Sequence, residues 1–386
     1  MSDDPTPQRA PEVTPLASPL VPRWRVHPPR MDAHLAREAV PPLAPEATAP
    51  AVPHRSGWSV FRVIASAFLA AFLLRACVFE AYRIPSSSME QTLQPGDYVF
   101  VSKLGYGTRI PETFRLPLSR RERANPILPG VRLPGIGAPA RGDVVVFHYP
   151  ADGGPIHRRT PYVKRLVGLP GEVVEIREKQ VFADGAPVER APTGRQFWVV
   201  LLAERAFLQP DSLTSVGLTG RIERVSDRER VIEATQEVAA RVRRLPGVES
   251  VEALVRRPGD GSADFPASGA YSLDDWGPVR VPFRDWTIPL DSETWSLYRA
   301  AILKHEPLAV ERVAGGFRVE GVPADSFTFS QDYYVVLGDH RDDSADSRSW
   351  GFVPDTHLVG RARLIYFSWD PESGKARWDR ALHIVR

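Results

Sequence analysis

The run Trp58 to Phe79, WSVFRVIASAFLAAFLLRACVF, divides the chain into two parts with different fates. At about 22 residues it would form a helix roughly 33 Å long, which matches the hydrocarbon thickness of a bilayer. Its only charges, Arg62 and Arg75, lie near the ends, where long side chains reach headgroups, and Val63 to Leu74 is an uninterrupted apolar centre. A single transmembrane helix over residues 58–79 is the expectation. The segment ahead of it is too long for the basic leader of a signal peptide. Residues 1–57 are rich in proline, alanine and arginine and show neither helical nor strand periodicity. They cannot bury enough apolar surface to offset the entropy of ordering, and they read as a disordered tail. Charge does not orient the span, because Arg37 and Arg55 before it nearly balance Arg83 and Lys103 after it.

Beyond the span, short apolar runs are broken by turn signals. Tyr98 to Lys103 follows Gly96-Asp97, Val144 to Tyr149 follows Gly142-Asp143, and Pro170-Gly171 separates Tyr162 to Gly168 from Glu172 to Ile176. This rhythm predicts an antiparallel β body, resuming at Val279 and closing with Tyr333 to Leu337, Leu358 to Trp369 and Leu382 to Val385. The proline- and arginine-rich stretch from Arg109 to Arg141 reads as a long surface loop. Between residues 196 and 276 the pattern changes: Phe197 to Ala203 and Val251 to Val255 are strand-like, and Arg228 to Arg243 carries helix formers on an apolar stripe. The expected organisation is therefore a tail (1–57), a span (58–79), a β core in two parts (80–195 and 277–386) and a small α/β insert (196–276).

With 49 basic and 47 acidic residues the net charge is +2, which provides no global field for nucleic acid. The single cysteine, Cys77, rules out an intramolecular disulfide. No metal or other cofactor is expected: paired cysteines and a His-Glu-x-x-His run are absent, and the acidic cluster Asp339, Asp342, Asp343 and Asp346 contains its own counter-charges in Arg341 and Arg348.

Two features carry chemistry. Ser86-Ser87-Ser88-Met89 follows the span almost directly, and a serine hydroxyl needs a neighbouring base to become a nucleophile. Lys164 lies in the apolar run around Val163 and Leu166, and desolvation there would lower its pKa toward that of a general base. Alternation sets Lys164 on the face opposite Val163 and Arg165 without saying which face is buried. An edge lysine pointing at water remains the alternative. His340, near a serine and several aspartates, also invites a Ser-His-Asp reading.

The motifs Ile84-Pro85-Ser86-Ser87-Ser88-Met89, Gly96-Asp97, Arg141 to Phe147, Tyr162 to Gly171 and Gly338 to Arg348 occur in one order, and together they resemble bacterial signal peptidase I. The resemblance covers residues 58–178 and 331–369. It implies a mainly β, signal-peptidase/LexA-like antiparallel catalytic body behind one N-terminal membrane helix. The implied protein is a serine endopeptidase of the plasma membrane that removes signal peptides from secreted pre-proteins after Ala-x-Ala, its tail cytoplasmic and its body on the outer face. Ser88 then matches the nucleophile, Lys164 the base, Ser86 an oxyanion-hole hydroxyl and Ser344 the hydroxyl that orients the lysine. Asp346 and Arg348 match a supporting ion pair, while Ile84, Met89, Leu93 and Val163 match the linings of small substrate pockets. The implied partners are signal peptides and phospholipid. His340 and Asp343 stand where many members carry asparagine, Gln91 where many carry proline, and Ser87 where glycine is common. A catalytically inactive peptide-binding scaffold and a self-cleaving Ser/Lys repressor are the competing readings.

Overall fold

A computed structural model describes residues 57–107, 132–257, 260, 262–266 and 271–386. The expected tail and most of the expected Arg109 to Arg141 loop lie outside the described residues. Helix α1 spans Gly57–Cys77. The expected helix over 58–79 thus ends early, because Phe79 is already the first residue of strand β1 (Phe79–Arg83), opposite Ser102 of β2 (Asp97–Ser102). Val78 is drawn in as well, its carbonyl accepting from the Lys103 N–H at 2.9 Å. Among the described residues no helix is long and apolar enough to cross a membrane. The apolar side chains described on α1 are nevertheless open, with Phe68 74% and Val63 66% exposed.

The body is mainly β. Its principal sheet runs in the order β1, β2, Leu358–Asp370, β3 (Val144–His148), β4 (Pro161–Gly168), Tyr333–Leu337, Val353–Pro354, each neighbouring pair antiparallel. Register shifts in β2, in Leu358–Asp370 and in Tyr333–Leu337 add twist and curl the sheet. Val144 to Phe147 are all buried, as are Val163 to Gly168, so these central strands are covered on both faces. Such strands read as continuous apolar runs rather than alternating ones.

Besides a two-stranded sheet (Thr287–Pro289 with Ser326–Thr328) and a three-stranded one (Val310–Val313, Gly316–Val319, Val322–Pro323), two four-stranded sheets accompany it. Trp276–Arg280, Val173–Arg177, Gln180–Ala183 and Ala186–Pro187 form one, and its apolar residues share a core with helix Ser292–His305. That helix begins with a capping box, in which Asp291 accepts from Thr294 N–H (2.8 Å) and Thr294 Oγ1 accepts from Asp291 N–H. The other contains Val248–Ala253, Arg195–Leu202, Glu229–Thr235 and Ile222–Arg224, with its own core around Val200, Leu202, Ile232 and Val242. The chain has left this second sheet by Trp276, which pairs with Ile176.

The helix expected over Arg228 to Arg243 is a strand followed by a helix. Glu229–Thr235 pairs with Arg195–Leu202, and only Gln236–Val242 is helical, with Thr235 Oγ1 accepting from Val238 N–H at 3.3 Å as N-cap. The β-branched pair Val231-Ile232 gains cross-strand partners that a helix would not supply, and Thr235 marks the switch.

Candidate active site

Ser88 lies in a tight turn between β1 and β2. Ile84 N–H donates to Asp97 C=O and Gly96 N–H to Ile84 C=O, both at 2.8 Å, pinning the ends of the excursion. Inside it, Glu90 N–H bonds Ser87 C=O and Leu93 N–H bonds Met89 C=O, each at 2.7 Å. Gly96, at φ +91°, permits the close approach: a Cβ there would sit 1.9 Å from the Trp369 carbonyl oxygen. Below the turn, Met89 and Leu93 are fully buried in one apolar cluster with Ile84, Val99, Val144 and Val163.

Lys164 comes from β4, on a buried part of the strand, and is 3% exposed. Its Nζ donates to Ser88 Oγ at 2.5 Å. Burial is the main influence on the amine and lowers its pKa from 10.5 to about 8. Asp346 opposes that shift, Arg348 adds to it, and Asp339 and Asp343 oppose it more weakly. An ammonium this desolvated gives up its proton near neutral pH, which is the requirement for a general base.

The loop after Tyr333–Leu337 closes the other side. His340 N–H donates to Ser88 C=O at 3.1 Å, and Gly338 lies so close that a Cβ on it would fall 2.7 Å from that carbonyl oxygen and 2.2 Å from Ser344 Oγ. Asp346 and Arg348 are buried and form a multiple pair, with Arg348 Nε and Nη2 each 2.8 Å from a carboxylate oxygen. Asp346 also accepts from Gly338 N–H (3.0 Å), and Arg348 donates to the Arg341 and Leu273 carbonyls. Burial pushes the Asp346 carboxyl up, but Arg348 and the Gly338 N–H outweigh it and hold the pKa below the ordinary value.

The expected site residues thus separate by position, with Asp346 and Arg348 in the closing loop. Ser88, Lys164, Ser86, Ile84 and Val163 line one cleft with Arg83, Tyr162, Asp343 and Ala345, enclosing about 940 Å³ of open space. Met89 and Leu93 sit behind that wall, in the core. Ser344 reaches the loop's inner face, but its hydroxyl donates to the Ala345 carbonyl at 3.5 Å, and among the described residues it makes no hydrogen bond to Lys164. The His340 ring makes no hydrogen bond to the Ser88 hydroxyl: both ring nitrogens are buried without hydrogen-bond partners, Nε2 3.7 Å from Glu233 and Nδ1 3.9 Å from Asp343.

Sequence reasoning missed a brace beside the pair. Arg165, adjacent to Lys164, grips Asp339 with two bonds of 2.7 and 2.6 Å, and Thr92 Oγ1 donates to the same carboxylate at 2.6 Å. The brace ties the Ser88 turn, the Lys164 strand and the closing loop together. Arg165 and Asp339 fell inside recognisable motifs, whereas Thr92 carried no signal.

Three of the four carboxylates of the acidic cluster are occupied by side-chain cations, Asp339 by Arg165, Asp342 by Lys179 and Asp346 by Arg348. Among the described residues, Glu90, Glu233 and His340 offer a set of three grouped donor atoms for a metal. Arg195 already lies 2.8 Å from Glu233 and 3.7 Å from Glu90, placing a cation against both carboxylates.

Comparison with known proteins agrees with the family resemblance. A signal peptidase I of Pseudomonas aeruginosa is 27% identical over 312 residues, covering 78% of this chain and 69% of the relative. One of Haemophilus influenzae is 26% identical over 317 residues, covering 82% and 70%. A crystal structure of a signal peptidase I from Enterococcus faecalis V583, 18% identical, covers 59% of this chain and 98% of its own, but its TM-score of 0.21 is too low to carry an argument about the fold. The family model described as signal peptidase, peptidase S26, matches residues 57–211 and 310–369, more than half of the sequence, and the chain belongs to that family.

Proposed function

We propose that this protein is a serine endopeptidase that removes signal peptides from pre-proteins after small residues, with Ser88 as nucleophile and Lys164 as general base. The observation that carries the reading is the 2.5 Å contact between a buried amine and the Ser88 hydroxyl, made in a cleft of about 940 Å³. The neutral amine takes the Ser88 proton as Oγ attacks the scissile carbonyl. The resulting ammonium returns that proton to the leaving amine, and the amine then activates the water that frees the acyl group.

The oxyanion falls to Ser88 N–H, which has no acceptor among the described residues, and to the Ser86 hydroxyl on the same wall. Preorganised donors of this kind contribute about 3 kcal/mol of barrier each. Ile84 and Val163, apolar and near Ser88, favour alanine-sized side chains before the cut. The substrate adds as a strand along Ile84 to Ser86. Asp346 and Arg348 hold the loop, and Ser344 orients the lysine once substrate has displaced its weak bond to Ala345.

Attachment to a membrane through α1 belongs to the same proposal, supported by the exposed apolar side chains on that helix immediately ahead of β1. Alkaline carbonate extraction of cell membranes tests it, since release of the full chain into the supernatant rejects an integral anchor. For the chemistry, Ser88→Ala and Lys164→Ala should each abolish cleavage of a pre-protein whose signal ends in Ala-x-Ala, with circular dichroism unchanged. Turnover by either folded variant rejects the pair.

A further inference from the structure

We propose that Asp343 is a fixed negative charge on the cleft wall that selects substrates by charge beside the scissile bond, accepting basic side chains there and disfavouring acidic ones. The inference rests on the reading of Ser88 and Lys164 as the reacting pair and extends it to the class of peptide taken.

The loop from Gly338 to Arg348 carries four carboxylates near the pair, and they differ in environment. Asp339, Asp342 and Asp346 have side chains at most 2% exposed, each ion-paired to a buried arginine or lysine. Asp343 has a side chain 63% exposed and lines the cleft together with Ser86 to Ser88 and Thr160 to Lys164. Its Oδ2 accepts from Ser87 Oγ at 2.7 Å, which fixes the carboxylate next to the residue that precedes Ser88. Its own N–H donates to His340 C=O at 3.2 Å, so the backbone is held as well. Among the described residues no lysine or arginine pairs with it, and the nearest cationic candidate is the His340 ring at 3.9 Å.

A charge held by one hydroxyl and otherwise facing the substrate path is available to a substrate. Its field already reaches the reacting centre, since it is among the carboxylates that act on Lys164. A bound peptide displaces water from the cleft, and low-dielectric walls then strengthen the interaction with any charge the peptide carries. Arg83, the other charged residue on the rim besides Lys164, lies five residues before Ser88 at the β1 end, so the two opposite charges address different parts of an extended substrate.

The test uses the full chain in detergent and peptides sharing one Ala-x-Ala sequence. Lys, Gln or Glu is placed in turn at the x position and at each of the first two positions after the cut. The expected wild-type result is a kcat/KM ratio, Lys over Glu, of about tenfold at one of these positions, shrinking as salt is raised. Asp343→Asn keeps an acceptor for Ser87 but removes the charge, and should bring the ratio to about one; Asp343→Lys should invert it. A wild-type ratio within about twofold at all three positions, or a bias that survives in Asp343→Asn, overturns the proposal. The Gln peptides report separately on the chemistry: their cleavage by Ser88→Ala would sink the reading of the reacting pair, whereas charge indifference with that variant inactive sinks only the role of Asp343.

Discussion

Replacing Lys164 with methionine should make the protein more stable while removing its proposed activity, and the gain should vanish at high pH. The amine titrates at about 8 in the folded chain against 10.5 when unperturbed. Below pH 8 it is charged in both states, and the folded state then bears a desolvation cost of about 3 kcal/mol. Methionine has nearly the same stem length and no charge, so it relieves that cost. It also removes the hydrogen bond to Ser88, a loss of about 1 kcal/mol, which leaves a net gain of about 2 kcal/mol, or about 3 °C in Tm for a body of this size.

The pH dependence identifies the cause. Between pH 8 and 10.5 the unfolded wild-type chain binds more protons at this position than the folded one, so wild-type stability rises with pH through that window. Above 10.5 the amine is neutral in both states and no cost remains. Thermal unfolding of wild type and Lys164→Met at pH 7 and near pH 11 should therefore give a clear difference in favour of methionine at the lower pH and a small deficit, about 1 kcal/mol from the lost Ser88 hydrogen bond, at the higher. A variant less stable than wild type at pH 7, or a difference that does not change with pH, would refute a desolvated amine at this site.

Three further outcomes follow from the same geometry. The kcat/KM of the wild-type enzyme should rise with pH and level off above about 8, because only the neutral amine accepts the Ser88 proton; stopped assays across pH 6 to 10 read the inflection. Gly338→Ala puts a Cβ 2.7 Å from the Ser88 carbonyl oxygen and should displace the nucleophile by about half an ångström, lowering kcat about tenfold with little change in Tm; full activity would show that the turn yields freely. Asp346→Asn strands the buried Arg348 charge and should cost about 3–5 kcal/mol in denaturant titrations, most of it recovered in the double variant Asp346→Leu/Arg348→Met.

The strands that carry the site were legible because turn dipeptides bound them: Gly96-Asp97 before β2, Gly142-Asp143 before β3, Pro170-Gly171 after β4. The environment of Lys164 was not. Alternation separated it from Val163 and Arg165 but could not say which face was dry, and β4 proves buried on both faces because separate apolar clusters pack against Val163 and Val167 on one and Leu166 on the other. The pairing of Ser88 with Lys164 could be named only through the family's motifs, since 76 residues separate them and no local period connects them. The stretch Arg228 to Arg243 misled because its apolar spacing suits a helix, while the decisive term, cross-strand pairing with Arg195–Leu202, is non-local. Thr92 was invisible for the same reason, as its partner Asp339 lies 247 residues away.

The place of Leu358–Asp370 in the sheet has a temporal consequence. This strand stands between β2, which leads from the Ser88 turn, and β3, which flanks the strand bearing Lys164. Ser88 and Lys164, the pair proposed to react, leave the ribosome long before it does. Until it arrives, the two halves of the centre lack the wedge that sets their spacing, so a nascent chain stalled ahead of Leu358 should hold both residues and hydrolyse nothing. Assembly of the proposed pair thus waits on a strand that follows both of its members in the chain.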